Sequence, residues 1–476
     1  MSKSSNCDLR SWLKSADELG QLRLLEGANW DLEIGTLTEI VYNHKDAPAV
    51  IFDAVPGYPH GYRVLVNALG STARLAVTLG LKPAATTREI KEFWKQRAGN
   101  AAVDPVYVGD GPVFENRHTG DDIDILKFPV PKWHELDGGR YIGTGSITIT
   151  RDPDTGWVNC GTYRVMVHDG QHLGFYISPG QHGRIHRTKY FDAGKPCPVA
   201  ISFGHHPLFF LTGAFEVPFG VSEYSFIGGI LGEPVPVMRG PITGLPIPAY
   251  SEIVIEGVAM PGDAHLEGPF GEWTGYYASG ARNEPVIEIK AVYHRNDPII
   301  LGYPPAKPSV AQAHYRAIIR SALIEKQLEA AGVPDVKGVW SHEAAGARLM
   351  NVVSIKQRYP GHAKQAGAVA AQCGAGARMS RYIVVVDDDI DPSDLQEVIW
   401  AIATRSDPEH SIDIMRRCWS GPLDPTIRPG MPGLASRAII DATKPFEWIN
   451  EFPPVVGASP ELKEAALARW KEALGI

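Results

Sequence analysis

The stretch Asn159-Cys-Gly-Thr-Tyr-Arg164, followed by Ser178-Pro-Gly-Gln-His-Gly-Arg-Ile-His186, lies in the first half of a chain of 476 residues. Its polar side chains stand among small residues at the ends of strand-like runs, namely Ser146–Thr150, Arg164–Val167 and His172–Ser178. Small residues let a backbone come close to a ligand. Asn and His offer neutral metal ligands, and Arg offers a fork for a carboxylate or phosphate. Further strand-like runs follow at Val199–Phe203, Ile253–Val258 and Ile287–Tyr293, densely punctuated by Gly and Pro. Residues 111–306 are therefore expected to form one β-rich domain, a barrel or a strongly twisted sheet.

Outward from that region the pattern changes. Residues 1–110 mix short helix-like and strand-like pieces. Asp8 is placed to cap a helix in which Leu9, Trp12, Leu13, Ala16 and Leu19 recur at helical spacing, with Gly20 as its stop. Ile90–Arg97 also reads as helix. Past Lys307, Val310–Ala331 forms a long helix ended by Gly332 and Pro334, and Tyr382–Val386 an apolar strand ending in three aspartates. The next helix is expected to be capped at Ser393 with Gln396 three residues on, and the residues after Pro453 to form a helical tail. The fold class is α+β: an N-terminal α/β segment (1–110), the central β domain (111–306) and a C-terminal α/β domain (307–476).

A net charge of −8 argues against non-specific nucleic-acid binding, so an acidic ligand must be held by local positive groups. The five cysteines, Cys7, Cys160, Cys197, Cys373 and Cys418, are odd in number, widely spaced and contain no CxxC. That argues against a disulfide framework and a zinc ribbon, and suits a reducing compartment. The leading MSKSSNCDLR lacks the apolar core of a signal peptide, and no run approaches the ~20 apolar residues of a membrane span. A cytoplasmic protein without a membrane span is expected.

Among the residues able to carry chemistry, His168/His172 and His182/His186 are each spaced i, i+4, the spacing of a zinc pair on a helix. Asp169-Gly170 interrupts the first pair and Pro179-Gly180 precedes the second, so neither is expected in a helix. Ordinary hydrogen bonding remains open for both. The second rich stretch, Glu267-Gly-Pro-Phe-Gly-Glu272-Trp-Thr-Gly-Tyr, places two carboxylates five residues apart across a Gly/Pro turn. Two acids near one arginine can acquire unlike pKa values, one ionised and one able to donate a proton; a surface turn with two solvated glutamates is the alternative. Trp273, Tyr276 and Tyr277 suit either an aromatic-lined site or a core. Gly374-Ala-Gly376-Ala is no dinucleotide fingerprint. Asp387-Asp-Asp389 reads as a solvated loop rather than a cation site, and His205-His206 as structural.

Together these stretches resemble the UbiD family of reversible (de)carboxylases. Asn159 and Arg164 stand in its Asn-x-Gly-x-Tyr-Arg pattern, His182 in a Gln/Lys-His setting, Glu223 in Gly220-Val-Ser-Glu-Tyr, and Glu267 and Glu272 in an EGPFGE motif. Leu245-Pro-Ile-Pro, Ser354 to Lys364, Val386 to Asp391 and Ile399 to Arg405 add to the likeness, which runs from residue 8 to 445. The resemblance implies a central flavin-binding β-barrel domain and a C-terminal α/β domain used for oligomerisation. It implies prenylated FMN as cofactor, with Asn159, His182 and Glu223 binding a divalent ion of the Mn2+ type that bridges to the cofactor phosphate, and K+ close by. Thr162, Tyr163, Arg164 and Gln181 would line the cofactor, and Lys356 aligns with a lysine near the flavin.

Breaking a C–CO2 bond at an sp2 carbon leaves electrons that the ring cannot delocalise, and no side chain offers an adequate sink. By the resemblance the prenylated flavin supplies it. Arg164 would pair with Glu267 and orient the substrate carboxylate, while Glu272, protonated at that step, would deliver the proton that replaces CO2. The implied substrate is an aromatic, heteroaromatic or α,β-unsaturated acid; prenyl-hydroxybenzoate, simple hydroxybenzoates, heteroaromatic and polycyclic aromatic acids are all handled in the family. A homodimer or a multiple of dimers is expected, as is dependence on a flavin prenyltransferase. Two other classes stay open: a metal-dependent hydrolase using the histidines, and a non-catalytic flavin-binding protein in which Glu272 is dispensable.

Overall fold

The structure, a computed structural model, describes residues 7–44, 46–98, 102–215, 217–421, 423–428 and 430–475. Asp8 caps the first helix, Leu9–Glu18, its carboxylate accepting the Arg10 N–H at 3.0 Å, and the helix buries Leu9, Trp12, Leu13 and Ala16. The strands Leu22–Glu26, Ala49–Asp53 and Arg63–Val66 then form a sheet whose fourth strand is Ile299–Leu301, parallel to Arg63–Val66. The N-terminal segment thus takes an edge strand from far along the chain. The sequence pattern does not reveal this, because Ile299–Leu301 reads like any other apolar run.

The central strands form one ten-stranded sheet. Its path runs Arg140–Gly143, Val165–Val167, His172–Gly174, Arg282–His294, Ile253–Ala259, Cys197–Ser202, Ile147–Arg151 and Val158–Gly161, with Asn116–Thr119 and Ala264–Glu267 also paired to the long strand Arg282–His294. The two end strands do not pair with each other, so the expected barrel is a curled half-barrel. The helix His182–Asp192 packs on Ile147–Arg151, Val158–Gly161 and Cys197–Ser202, and the helix Glu223–Leu231 packs on Val158–Gly161. Helices thereby pack on the sheet at its Val158–Gly161 end. Ile253 and Ile255 join one core and Val254 the other, so both faces of this strand are buried.

The helix His182–Asp192 corrects the expectation that His182 and His186 lie outside a helix. Gly180 has φ +84° and Gln181 is the N-cap, so Pro179-Gly180 turns the chain into the helix instead of interrupting one. The expected strand His172–Ser178 keeps its ladder over His172–Gly174.

Beyond residue 307, the helix Val310–Ala330 packs on Glu33–Tyr42, Thr87–Arg97 and the strand Val336–Ser341. A five-stranded sheet follows in the order Val336–Ser341, Met350–Ile355, Tyr382–Asp387, Leu434–Ala442, Ile412–Trp419. The helix Leu395–Arg405 is capped by Asp394, which accepts the N–H groups of Gln396 and Glu397; Ser393 instead donates its hydroxyl to Asp391. Asp387 and Asp389 both receive Arg405, and Lys444 reaches Asp389, so this acidic run is a neutralised structural knot. His206 caps the helix Pro207–Gly213 and His205 bonds the Ser202 hydroxyl at 2.9 Å, both structural. The tail is the helix Pro460–Leu474. Among the described residues, no helix is long and apolar enough to cross a membrane.

Candidate active site

The long strand Arg282–His294 organises the site. Glu267 ends the strand Ala264–Glu267, opposite Arg282. Arg164 immediately precedes the strand Val165–Val167, which pairs with His172–Gly174, itself paired to residues 286–288 of the long strand. One template therefore carries both partners, although they are distant in sequence. Across it, Arg164 Nε donates to Glu267 Oε1 at 2.9 Å, Nη2 to Glu267 Oε2 at 2.7 Å, and Nη1 to Glu272 Oε1 at 2.9 Å. Glu267 is fully buried and Glu272 is 9% exposed, which disposes of the solvated-turn alternative.

The turn that carries Glu272 is held tightly. The Glu272 N–H donates to Tyr276 O at 3.0 Å and the Gly275 N–H to Glu272 O at 2.8 Å. Gly138 donates its N–H to Pro269 O at 2.8 Å, and a Cβ on Gly138 would stand 2.0 Å from Gly268 O, so only glycine fits that approach. The Tyr141 hydroxyl donates to Glu267 Oε1 at 3.1 Å, and the Tyr141 ring stacks on Phe270 at 3.9 Å between centroids. The Arg164 guanidinium lies 4.3 Å over the Tyr176 ring.

These contacts bear on the proton of Glu272. Burial pushes the Glu272 carboxyl up to about 7, against the pull of Arg164 and with the push of Glu267. Arg164 is held above its ordinary range by Glu267 and Glu272, which outweigh its burial. With Glu272 Oε1 taken by Arg164, Oε2 is the oxygen left to carry a proton.

The group opens on a cavity of about 250 Å³. Thr162, Tyr163, Arg164, Gln181 and Glu272 form its half-barrel wall, and Arg316, Arg348, Arg378 and Leu423 the facing wall. Trp273 lines it too, with Arg348 and Arg316 5.6 and 5.9 Å from its ring. Thr162 Oγ1 is buried without a hydrogen-bond partner at this wall. Lys356 is not among the lining residues: it is exposed beyond the strand Met350–Ile355, its N–H bonded to Asp335 O at 3.0 Å. Tyr141, Tyr176 and the three arginines of the facing wall escaped the sequence reading. They come from separate segments without a local motif, and only the pairing of strands and the packing of the two walls brings them in.

Asn159 and Glu223 meet beside this cavity, both buried. The Asn159 amide, oriented to satisfy its neighbours, donates to Glu223 Oε1 at 3.2 Å and accepts from the Tyr163 hydroxyl at 3.3 Å. Glu223 Oε2 accepts the Cys160 N–H at 2.6 Å. Burial pushes the Glu223 carboxyl up to about 7, against the Cys160 N–H, which favours its charged form. His182 starts its helix next to Gly183, whose N–H donates to the same Tyr163 hydroxyl at 3.2 Å. Burial lowers the His182 pKa and keeps the imidazole neutral, with its ring against Trp157 and Phe219. An amide oxygen, a neutral imidazole and a buried carboxylate suit a divalent cation. No group of three or more His, Cys, Asp or Glu able to hold a metal occurs among the described residues.

Family models match nearly the whole chain. Residues 11–94, 106–308 and 314–442 fit the N-terminal, Rift-related and C-terminal domains of 3-octaprenyl-4-hydroxybenzoate carboxy-lyase. A phenolic acid decarboxylase of Streptomyces sp. (strain D7) is 32% identical over 446 residues, 92% of each chain. A pyrrole-2-carboxylic acid decarboxylase of Pseudomonas aeruginosa is 31% identical over 463 residues, 93% of this chain and 92% of its own. Among solved structures, the UbiD-class enzyme HmfF of Pelotomaculum thermopropionicum in complex with FMN superposes with a TM-score of 0.86 at 30% identity, over 97% of this chain and all of that one. An evolved dimeric form of that enzyme, in complex with prFMN, gives 0.83 at 29% identity, over 97% and 99%. Fold and relatives together define an enzyme of the carboxy-lyase class, a decarboxylase. The chain belongs to the UbiD family.

Proposed function

We propose that this enzyme removes CO2, reversibly and without net oxidation, from an aromatic, heteroaromatic or α,β-unsaturated carboxylic acid, using prenylated FMN in the cavity beside Arg164. The observation that carries this reading is the buried Glu267–Arg164–Glu272 group, in which a single guanidinium joins an acid locked in two bonds to an acid held near neutral pKa. Prenylated FMN, when bound, supplies the electron sink that the side chains lack. Thr162, Tyr163 and Gln181 would hold it from the half-barrel wall, and Asn159, His182 and Glu223 would hold a Mn2+-type ion at its phosphate, with K+ nearby. Lys356, exposed and outside the lining of the cavity, is not carried into this proposal as a cofactor residue.

In this scheme Arg164, fixed by Glu267, pairs with the substrate carboxylate and sets its angle to the cavity. The carboxylate leaves as neutral CO2, and a site from which water is excluded favours that loss of charge. Glu272 transfers the proton on Oε2 to the carbon that lost CO2. The division at residues 110 and 306, a homodimer or multiple of dimers, a cytoplasmic location and dependence on a flavin prenyltransferase complete the reading. The dimeric relative supports the oligomer. The metal-dependent hydrolase is set aside by membership of a decarboxylase family, and the non-catalytic flavoprotein is left for experiment.

The test is CO2 release from a panel of aromatic and unsaturated acids by protein made with a flavin prenyltransferase present. Glu272→Gln keeps shape and hydrogen bonding but carries no acidic proton, and its turnover is expected to fall about 10²–10⁴-fold with bound cofactor retained. Turnover within a few-fold of the parent would remove Glu272 from the chemistry.

A further inference from the structure

Glu272 stands in a partition between two cavities. One is the cavity beside Arg164. The other, of about 410 Å³, lies on the opposite side of the Phe270–Tyr277 turn and is lined by Thr36, His134, Tyr277, Lys307 and others; Glu272 and Pro305 face both. Leu136, 67% exposed, and Tyr276, 62% exposed, border the second cavity, which therefore opens to water. Gly271 is on its wall, and a Cβ there would approach nothing nearer than Tyr277 Cζ at 4.0 Å, so the backbone beside Glu272 borders this cavity without a side chain of its own.

A polar group is built into the same wall. The Tyr277 hydroxyl donates to Asp137 Oδ1 at 3.1 Å, the His134 N–H donates to Asp137 Oδ2 at 3.0 Å, and His134 Nδ1 lies 3.5 Å from that oxygen. Asp137 is buried, whereas His134 is partly open to the cavity. Nothing in the decarboxylation scheme uses these residues.

Each turnover consumes the Glu272 proton. With substrate and cofactor in the first cavity, Glu272 faces Arg164, which carries no proton it can release, and beyond it Glu267, which is sealed from water. We propose that the second cavity returns protons from bulk water to Glu272, with His134 as the relay at its wall. The inference rests on Glu272 as proton donor. The balance closes: the C–CO2 bond breaks with its electron pair left on carbon, the Glu272 proton forms the new C–H bond, and a solvent proton restores the carboxyl, so that R–CO2⁻ and H⁺ become R–H and CO2.

The experiment uses the cofactor-loaded enzyme and two variants. Thr36→Trp, at an exposed helical position, fills the second cavity; His134→Gln removes the relay. Below pH 7 a single turnover begins with Glu272 protonated. Both variants are therefore expected to release the first CO2 at the parent rate with kcat/KM unchanged, but to lose roughly tenfold in steady-state kcat and to show a larger solvent deuterium effect. Imidazole should restore His134→Gln and leave Thr36→Trp slow. If Thr36→Trp does not fold, Ala306→Leu narrows the same cavity. Parent kcat in both variants overturns the route, and so does equal slowing of the first turnover with a raised KM, which would mark the cavity as a substrate path. Glu272→Gln at near-parent turnover would instead overturn the donor assignment itself, so the two failures are separable.

Discussion

Arg164 and Glu267 meet edge to edge, Nε to Oε1 at 2.9 Å and Nη2 to Oε2 at 2.7 Å, with both side chains almost out of contact with water. A planar guanidinium bound in this two-point fashion cannot swivel. The remaining nitrogen, Nη1, is thereby aimed at Glu272. The rigidity of one pair thus sets the geometry of the other.

Glu267→Gln removes the charge that holds Arg164 while keeping the shape. Breaking one side of a buried ion pair costs about 3 kcal/mol of stability, measurable as a lower midpoint in urea unfolding. The same change takes away the negative charge that pushes the Glu272 pKa up. The alkaline limb of the kcat/KM profile should therefore move to lower pH in this variant. An unmoved limb would show that the two acids are not coupled.

Glu272 also writes a pH signature on stability. Its pKa is about 7 in the folded protein against 4.5 for the ordinary carboxyl, so the folded state holds the proton more tightly. The sign follows: the stabilisation is fully present below pH 4.5 and is lost as pH rises through 7. Buried Glu223 moves the same way, so the parent must be compared with Glu272→Gln. The parent should lose on the order of 2 kcal/mol more than the variant between pH 4.5 and 7.5, read from thermal melts across that range. Parallel curves would contradict the raised pKa.

Gly138→Ala tests the close approach beneath the catalytic turn. The added methyl would stand 2.0 Å from Gly268 O, so the segment from 268 to 272 must shift. A loss of about 1–3 kcal/mol is expected, together with a several-fold lower kcat. Gly109→Ala is the control, since a Cβ there meets nothing within 4 Å. Equal melting temperatures for the two variants would show that the turn yields freely.

Much of the molecule was legible in order along the chain. The cap at Asp8, the long helix from Val310, the strand at Tyr382 and the tail helix follow from local pattern, because capping and periodicity act within a few residues. The motifs holding Asn159, Arg164, His182, Glu223, Glu267 and Glu272 were legible for the same reason, each being a short run of distinctive residues. Tertiary structure decided how they meet. That Glu267 is buried rather than solvated depends on the long strand Arg282–His294, which carries its strand and, through His172–Gly174, the strand of Arg164. That Pro179-Gly180 begins a helix rather than breaking one depends on the sheet edge on which that helix packs. That Lys356 faces solvent while Arg316, Arg348 and Arg378 face the cavity depends on how the C-terminal sheet and its helices pack against the half-barrel. Local sequence fixes propensity and chemistry within a few residues, whereas burial and coupling between charges arise from contacts between segments that no short window contains.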